Sequence, residues 1–157
     1  MAKKTNAVRL VELAKIHCRE HFYEYDETDL SGLHAAEALG RNPEEVFKTL
    51  VARGAKTGIN VFCIPVCCEL DLKKAAKAAG DKNMELIPVK ELLGLTGYIR
   101  GGCSPVGMKK KYPTYFDETA ELCDTIAVSA GERGHQMEVE PMALVTLVDG
   151  TLADLTV

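Results

Sequence analysis

The chain has 157 residues, is 46% apolar and 27% charged, and carries a formal net charge of −4. That length fits a single domain spanning residues 1–157, with a core large enough to fold without a metal or disulfide staple. The negative charge excludes a bulk nucleic-acid binder held by a basic surface, and no apolar run of about 18 residues is present to span a membrane.

In chain order, the apolar spacing of the first segment predicts an amphipathic helix over 4–16, without the uninterrupted apolar run of a secretory signal; a cytoplasmic setting is expected. Alternation over 21–25 predicts a short strand, followed by an acidic loop at 26–29. Ser31 is a good N-cap for a helix over 32–39, and Gly40 stands where a C-cap glycine belongs. Asn42-Pro43-Glu44-Glu45 reads as another helix start, with acids near the positive end of the dipole. Residues 47–53 and 59–66 are the clearest strands, joined through Gly54 and Gly58 as an antiparallel hairpin. Asp71 opens a helix of strong formers that ends at Gly80. A strand at 84–87 and a helix at 89–93 follow; residues 96–113, with four glycines and two prolines, read as a loop. Strands near 114–116, 125–129 and 136–139 precede a last helix beginning at Pro141. The elements interleave without a strict βαβ rhythm. The expected fold is α+β: one domain, a mixed and partly closed sheet, and helices around it.

The six cysteines show neither paired CxxC spacing nor a histidine pattern for zinc, and the four histidines give no metal spacing, so no cofactor is expected. Reduced, structural thiols are expected, with Cys63 inside an apolar strand and Cys67-Cys68 adjacent. The stretch Gly101-Gly102-Cys103-Ser104-Pro105-Val106-Gly107 lets backbone N–H groups approach a carbonyl, a phosphate or an oxyanion; the same composition also serves a tight turn. It lacks the Gly-Lys-Ser/Thr ending of a P-loop and the spacing of a nucleophile elbow. Lys48 either reaches a cleft from its strand or lies exposed on it. Lys109, Lys110 and Lys111, with Arg100 upstream, form either a local basic patch or a solvated surface.

Four ordered blocks then give a resemblance. TGYIRGGCSPVGMKKKYPTYFDETA at 96–120, FKTLV at 47–51, ELDLKKAAKAAG at 69–80 and VSAGERG at 128–134 resemble the YbaK/EbsC family of Cys-tRNA(Pro) deacylases. The N-terminal helix followed by His21-Phe22-Tyr23 agrees with it, so the resemblance covers nearly the whole chain. It implies the fold of the editing domain of bacterial prolyl-tRNA synthetases, built on a barrel-like mixed sheet. It implies hydrolysis of the ester between a wrongly attached amino acid and tRNA, chiefly cysteine on tRNA(Pro). A synthetase pocket rejects small apolar differences by only about 1–3 kcal/mol, which is why editing exists. The resemblance assigns Lys48 to binding and orienting the terminal adenosine or its phosphate. It assigns Gly101, Gly102, Ser104, Pro105 and Gly107 to holding the aminoacyl group and its carbonyl, and Tyr23 to the pocket. It further implies a substrate-assisted reaction in which the substrate's own thiol attacks the ester, and work alongside prolyl-tRNA synthetase and tRNA. Alternatives left open are a deacylase for another amino acid, such as alanine on tRNA(Pro), and a non-catalytic module that binds aminoacyl-tRNA or the synthetase. Cys103 fills a variable position in the loop and is expected to be packing.

Overall fold

A computed structural model describes residues 4–157; residues 1–3 lie outside the described residues. Helix α1 (Asn6–Leu13) begins where the Thr5 hydroxyl accepts the Val8 N–H, and it buries Ala7, Val8 and Val11. It is shorter than the 4–16 expected, because Lys15 turns the chain at φ +60. Strand β1 (Cys18–Phe22) lies three residues upstream of the predicted 21–25. The aromatic alternation there belongs to two settings: Phe22 stacks on His135 with ring centroids 4.2 Å apart, whereas Tyr23 and Tyr25 run over the Gly134 turn.

Helix α2 (Gly32–Leu39) has the predicted caps, with the Ser31 hydroxyl accepting the His34 N–H and Gly40 at φ +65. The Asn42 start yields only a 3-10 turn at Pro43–Glu45. Strands β2 (Phe47–Gly54) and β3 (Gly58–Pro65) form the expected antiparallel hairpin. Its turn is tied down by Asp81, whose carboxylate accepts the N–H groups of Lys56 and Thr57 at 3.0 and 2.7 Å. Helix α3 (Leu72–Ala79) starts on the Asp71 cap and ends at Gly80. Next come β4 (Glu85–Leu86), α4 (Val89–Thr96), the glycine-rich loop and β5 (Thr114–Asp117). A 3-10 turn at Glu118–Leu122, not expected from sequence, leads to the antiparallel pair β6 (Ile126–Glu132) and β7 (His135–Val139). Helix α5 (Pro141–Leu147) and β8 (Thr151–Ala153) end the chain. Three residues with mixed burial carry too little pattern to announce β8; its parallel pairing with β5 creates it.

Two sheets result. One is antiparallel in the order β1-β7-β6; the other is mixed in the order β4-β2-β3-β5-β8. A parallel bridge between Val46 and Ala127 brings them together at one corner; the α+β arrangement of sheets and helices is as expected, but the sheets do not close into a barrel. The main core, with Phe47, Val51, Val61, Phe116, Ile126, Val128 and Met137, fills the space between them. A second cluster beneath α3 holds Phe62, Ile64, Ala75 and Leu155. A small third one seats α2 through Ala36 on Val46, Val66 and Ala127. That seat matters for the site, because α2 becomes one wall of a cleft.

Candidate active site

A cleft of about 400 Å³ opens between the segment from Leu30 into α2, the start of β2, the β4–α4 connection and the glycine loop. Its walls are largely apolar, with Leu33, Leu86 and Val89 among the exposed hydrophobic residues that line it. Gly32 fixes how closely α2 approaches: a Cβ there would sit 2.2 Å from Cγ1 of Val66. Ser129 and Gln136 are polar members of the lining and are cross-strand partners of β6 and β7, beside the bulge between Ser129 and Glu132. Gln136 is 6% exposed, and its Oε1 finds no hydrogen-bond partner among the described residues.

Among the described residues lining the cleft there is no carboxylate and no histidine; Lys48 and Arg100 are its charged groups. Lys48 sits second in β2, opposite Ile64, and its half-buried side chain lines the cleft. Burial lifts the Tyr23 phenol above its ordinary value, partly offset by hydrogen bonds from the Gly134 backbone and the Gln136 side chain. Tyr23 is therefore a neutral hydroxyl at pH 7, able to donate or accept. Burial likewise pushes the Cys103 thiol up to about 12, with Thr96 lowering it slightly. A thiol that stays protonated is a poor nucleophile, so Cys103 serves as wall.

Of the residues singled out from the sequence, Tyr23, Lys48 and Gly101 line the cleft together. Gly102, Ser104, Pro105 and Gly107 are not among its lining; they build the loop behind it. The Gly102 N–H is already given to the Ile99 carbonyl at 3.0 Å. A Cβ on Gly102 would come within 3.1 Å of the Glu132 backbone, so the residue lets the loop lie against the β6–β7 turn. Ser104 is fully buried and its Oγ accepts the Val106 N–H at 3.2 Å; Pro105 is buried beside it. Gly107, at φ +80, faces the Tyr98 hydroxyl and Asn6 of α1. The loop is held from outside as well, by Arg133, whose Nε donates to the Arg100 carbonyl at 2.9 Å. The basic run divides: Lys111 pairs with Asp149, while the Lys109 side chain lies against Gly97.

Ser129 and Gln136 were not singled out from the sequence. Ser129 lies inside the VSAGERG block and Gln136 two residues beyond it, but only the pairing of β6 with β7 brings both to the cleft. Arg100 was legible as a cation near the glycine loop, but its place on the cleft wall comes from the fold.

Comparison with known proteins gives a consistent picture. The family described as the aminoacyl-tRNA editing domain matches residues 32–147. EbsC of Enterococcus faecalis, a provisionally assigned Cys-tRNA(Pro)/Cys-tRNA(Cys) deacylase, is 49% identical over 98% of this chain and 94% of its own length. A proline–tRNA ligase of Shouchella clausii is 32% identical over 68% of this chain, which spans 19% of that enzyme. Among solved structures, a candidate trans-editing enzyme for prolyl-tRNA synthetase superposes with a TM-score of 0.81 at 25% identity, over 99% of both chains.

Proposed function

The chain belongs to the aminoacyl-tRNA editing domain family, and from that premise we propose that it clears cysteine from tRNA(Pro) with the substrate's own thiol as nucleophile. The enzyme class follows from the family: it is a deacylase, a hydrolase of aminoacyl-tRNA esters. The observation that supports the finer reading is the make-up of the cleft. It offers two cations, neutral hydroxyls and apolar walls, and among the described lining residues no carboxylate or histidine to activate a water or a serine.

In this mechanism the terminal adenosine enters past Leu33 and Val89, and Lys48 meets the ribose or its phosphate. The substrate sulfur attacks its own ester carbonyl, forming an S–C bond, while the C–O bond to the ribose breaks and the departing oxygen takes the thiol proton. The product is a cyclic thiolactone that water later opens to cysteine. An intramolecular thiol held in line has a very high effective concentration, so orientation is what the protein must supply. Gly101, at φ +87 and pressed against Leu30, brings loop backbone to the position where the oxyanion develops. Gly102, Ser104, Pro105 and Gly107 act at one remove, by holding that loop in place. With a net charge of −4, most of the affinity for tRNA would come from a partner, and prolyl-tRNA synthetase is the partner this reading requires.

The test is ester loss from Cys-tRNA(Pro), Ala-tRNA(Pro) and Pro-tRNA(Pro), with and without the synthetase. Loss from the cysteinyl ester alone, with thiolactone trapped as an intermediate, is expected. Preferential loss from the alanyl ester would keep the deacylase and rule out the thiol mechanism. No hydrolysis of any ester would leave a binding module.

A further inference from the structure

Cys67 and Cys68 have no part in the chemistry above, yet they stand where the cleft wall ends. They follow Val66 directly; its side chain lines the cleft and presses on Gly32 at the start of α2. The turn is anchored at both ends: the Val66 N–H donates to the Val46 carbonyl at 2.8 Å and the Cys68 N–H to the Pro65 carbonyl at 3.0 Å. The two sulfurs lie 3.8 Å apart, with Cys67 exposed and Cys68 half-buried. All six cysteines are free thiols, but this is the pair whose sulfurs touch.

We propose that Cys67 and Cys68 form an oxidisable dithiol at the rim of the cleft, which reacts with small disulfides and closes reversibly into a vicinal disulfide that moves the Val66 wall. In the first step the exposed Cys67 thiolate attacks one sulfur of a disulfide RSSR; the new S–S bond forms, the RSSR bond breaks and one RS⁻ leaves. In the second, the Cys68 thiolate attacks the Cys67 sulfur, displaces the remaining RS⁻ and completes the Cys67–Cys68 bond. Two electrons pass from the pair to RSSR, and both thiol protons end on the two RSH released. The division of labour follows access. Cys67 is the sulfur that solvent reaches, and burial holds the Cys68 thiol above its ordinary value, with Lys48 acting in the opposite direction.

Closure is sterically demanding. Adjacent Cα atoms are about 3.8 Å apart, below the usual disulfide span of about 4.4–6.8 Å, so the bond is strained and readily reduced. The sulfurs must draw in to about 2.05 Å, and the turn that moves is the one carrying Val66. Oxidation therefore alters the contact of Val66 with Gly32 at the start of α2, and with it that part of the cleft wall.

The experiment is to treat the protein with glutathione disulfide, alkylate it, and map the tryptic peptide 57–73, which holds Cys63, Cys67 and Cys68. The expected product has lost two hydrogens, carries alkylation only at Cys63, and reverts with dithiothreitol. Hydrogen exchange of residues 30–36 and 64–68 is expected to rise on oxidation in the wild type and to stay unchanged in C67S/C68S. A peptide that keeps both thiols, one that stops at the glutathione adduct, or exchange at 30–36 that does not respond, overturns the proposal. Neither readout needs turnover. An inactive wild type would therefore sink the deacylase reading while mass and exchange still decide the thiol pair.

Discussion

At the scale of single residues, the cleft is an arrangement of few charges, and Lys48 is the one whose removal should be most informative. It lines the cleft with Arg100, and among the described residues no carboxylate shares that lining to neutralise it. Lys48→Ala is expected to lower kcat/KM for Cys-tRNA(Pro) by about ten- to a hundredfold, the range for a hydrogen bond to a charged group, with little change in melting temperature. Lys48→Arg should restore part of the loss if the role is to hold a phosphate or ribose oxygen; a nucleophilic lysine would not be replaced by arginine at all. Gly102 makes the opposite prediction. Because its Cβ would meet backbone rather than a flexible side chain, Gly102→Ala should destabilise the fold by about 1–3 kcal/mol, measured by urea denaturation. These residues also show how far the sequence could be read. The glycine-rich loop was recognisable from composition, but composition cannot say which glycine faces the ligand and which faces the protein. Gly101 and Gly102 are adjacent, and one lines the cleft while the other is locked onto Glu132.

Among the elements, β7 is the hinge of the first sheet, pairing with β1 on one side and β6 on the other. Glu138 uses that position to tie three segments together. It accepts from Thr125 at 2.7 Å and from His21 at 2.9 Å, and it pairs with Arg41, just beyond α2, at 3.1 Å. Burial alone would raise its carboxyl, but these partners outweigh burial and bring it down to about 2. A depressed carboxyl stabilises the fold fully above its ordinary value near 4.5, and the contribution is lost as pH falls through about 2. Glu138→Gln should therefore cost about 2–3 kcal/mol at pH 7, and the gap to wild type should close between pH 5 and pH 2 in chemical denaturation. A constant gap across that window would assign Glu138 to packing alone. Capped helices such as α2 and α3 were legible because Ser31, Asp71, Gly40 and Gly80 state their ends locally. The start of β1 and the existence of β8 were not, since non-local pairing decides both: Cys18 opposite Val139, and Thr151 opposite Tyr115.

For the whole molecule, the charge distribution sets how tightly it can hold tRNA unaided. The net charge is −4, Lys111 is paired with Asp149, and among the described residues the cations lining the cleft are Lys48 and Arg100. If those two make the phosphate contacts on the single-stranded acceptor end, log K against log salt should have a slope of about −1.4, from about −0.7 per contact. The measurement is a salt titration with a non-hydrolysable cysteinyl amide of tRNA(Pro), repeated for Lys109→Ala combined with Lys110→Ala. A slope near −1.4, unchanged in the double variant, would mean that the domain reads only the tip of its substrate. Its selectivity for tRNA(Pro) would then have to come from the synthetase bound to the same tRNA. A slope steeper than about −3 that flattens in the variant would bring the basic run into the interface. The domain would then recognise the acceptor stem directly, and the synthetase would be dispensable for affinity.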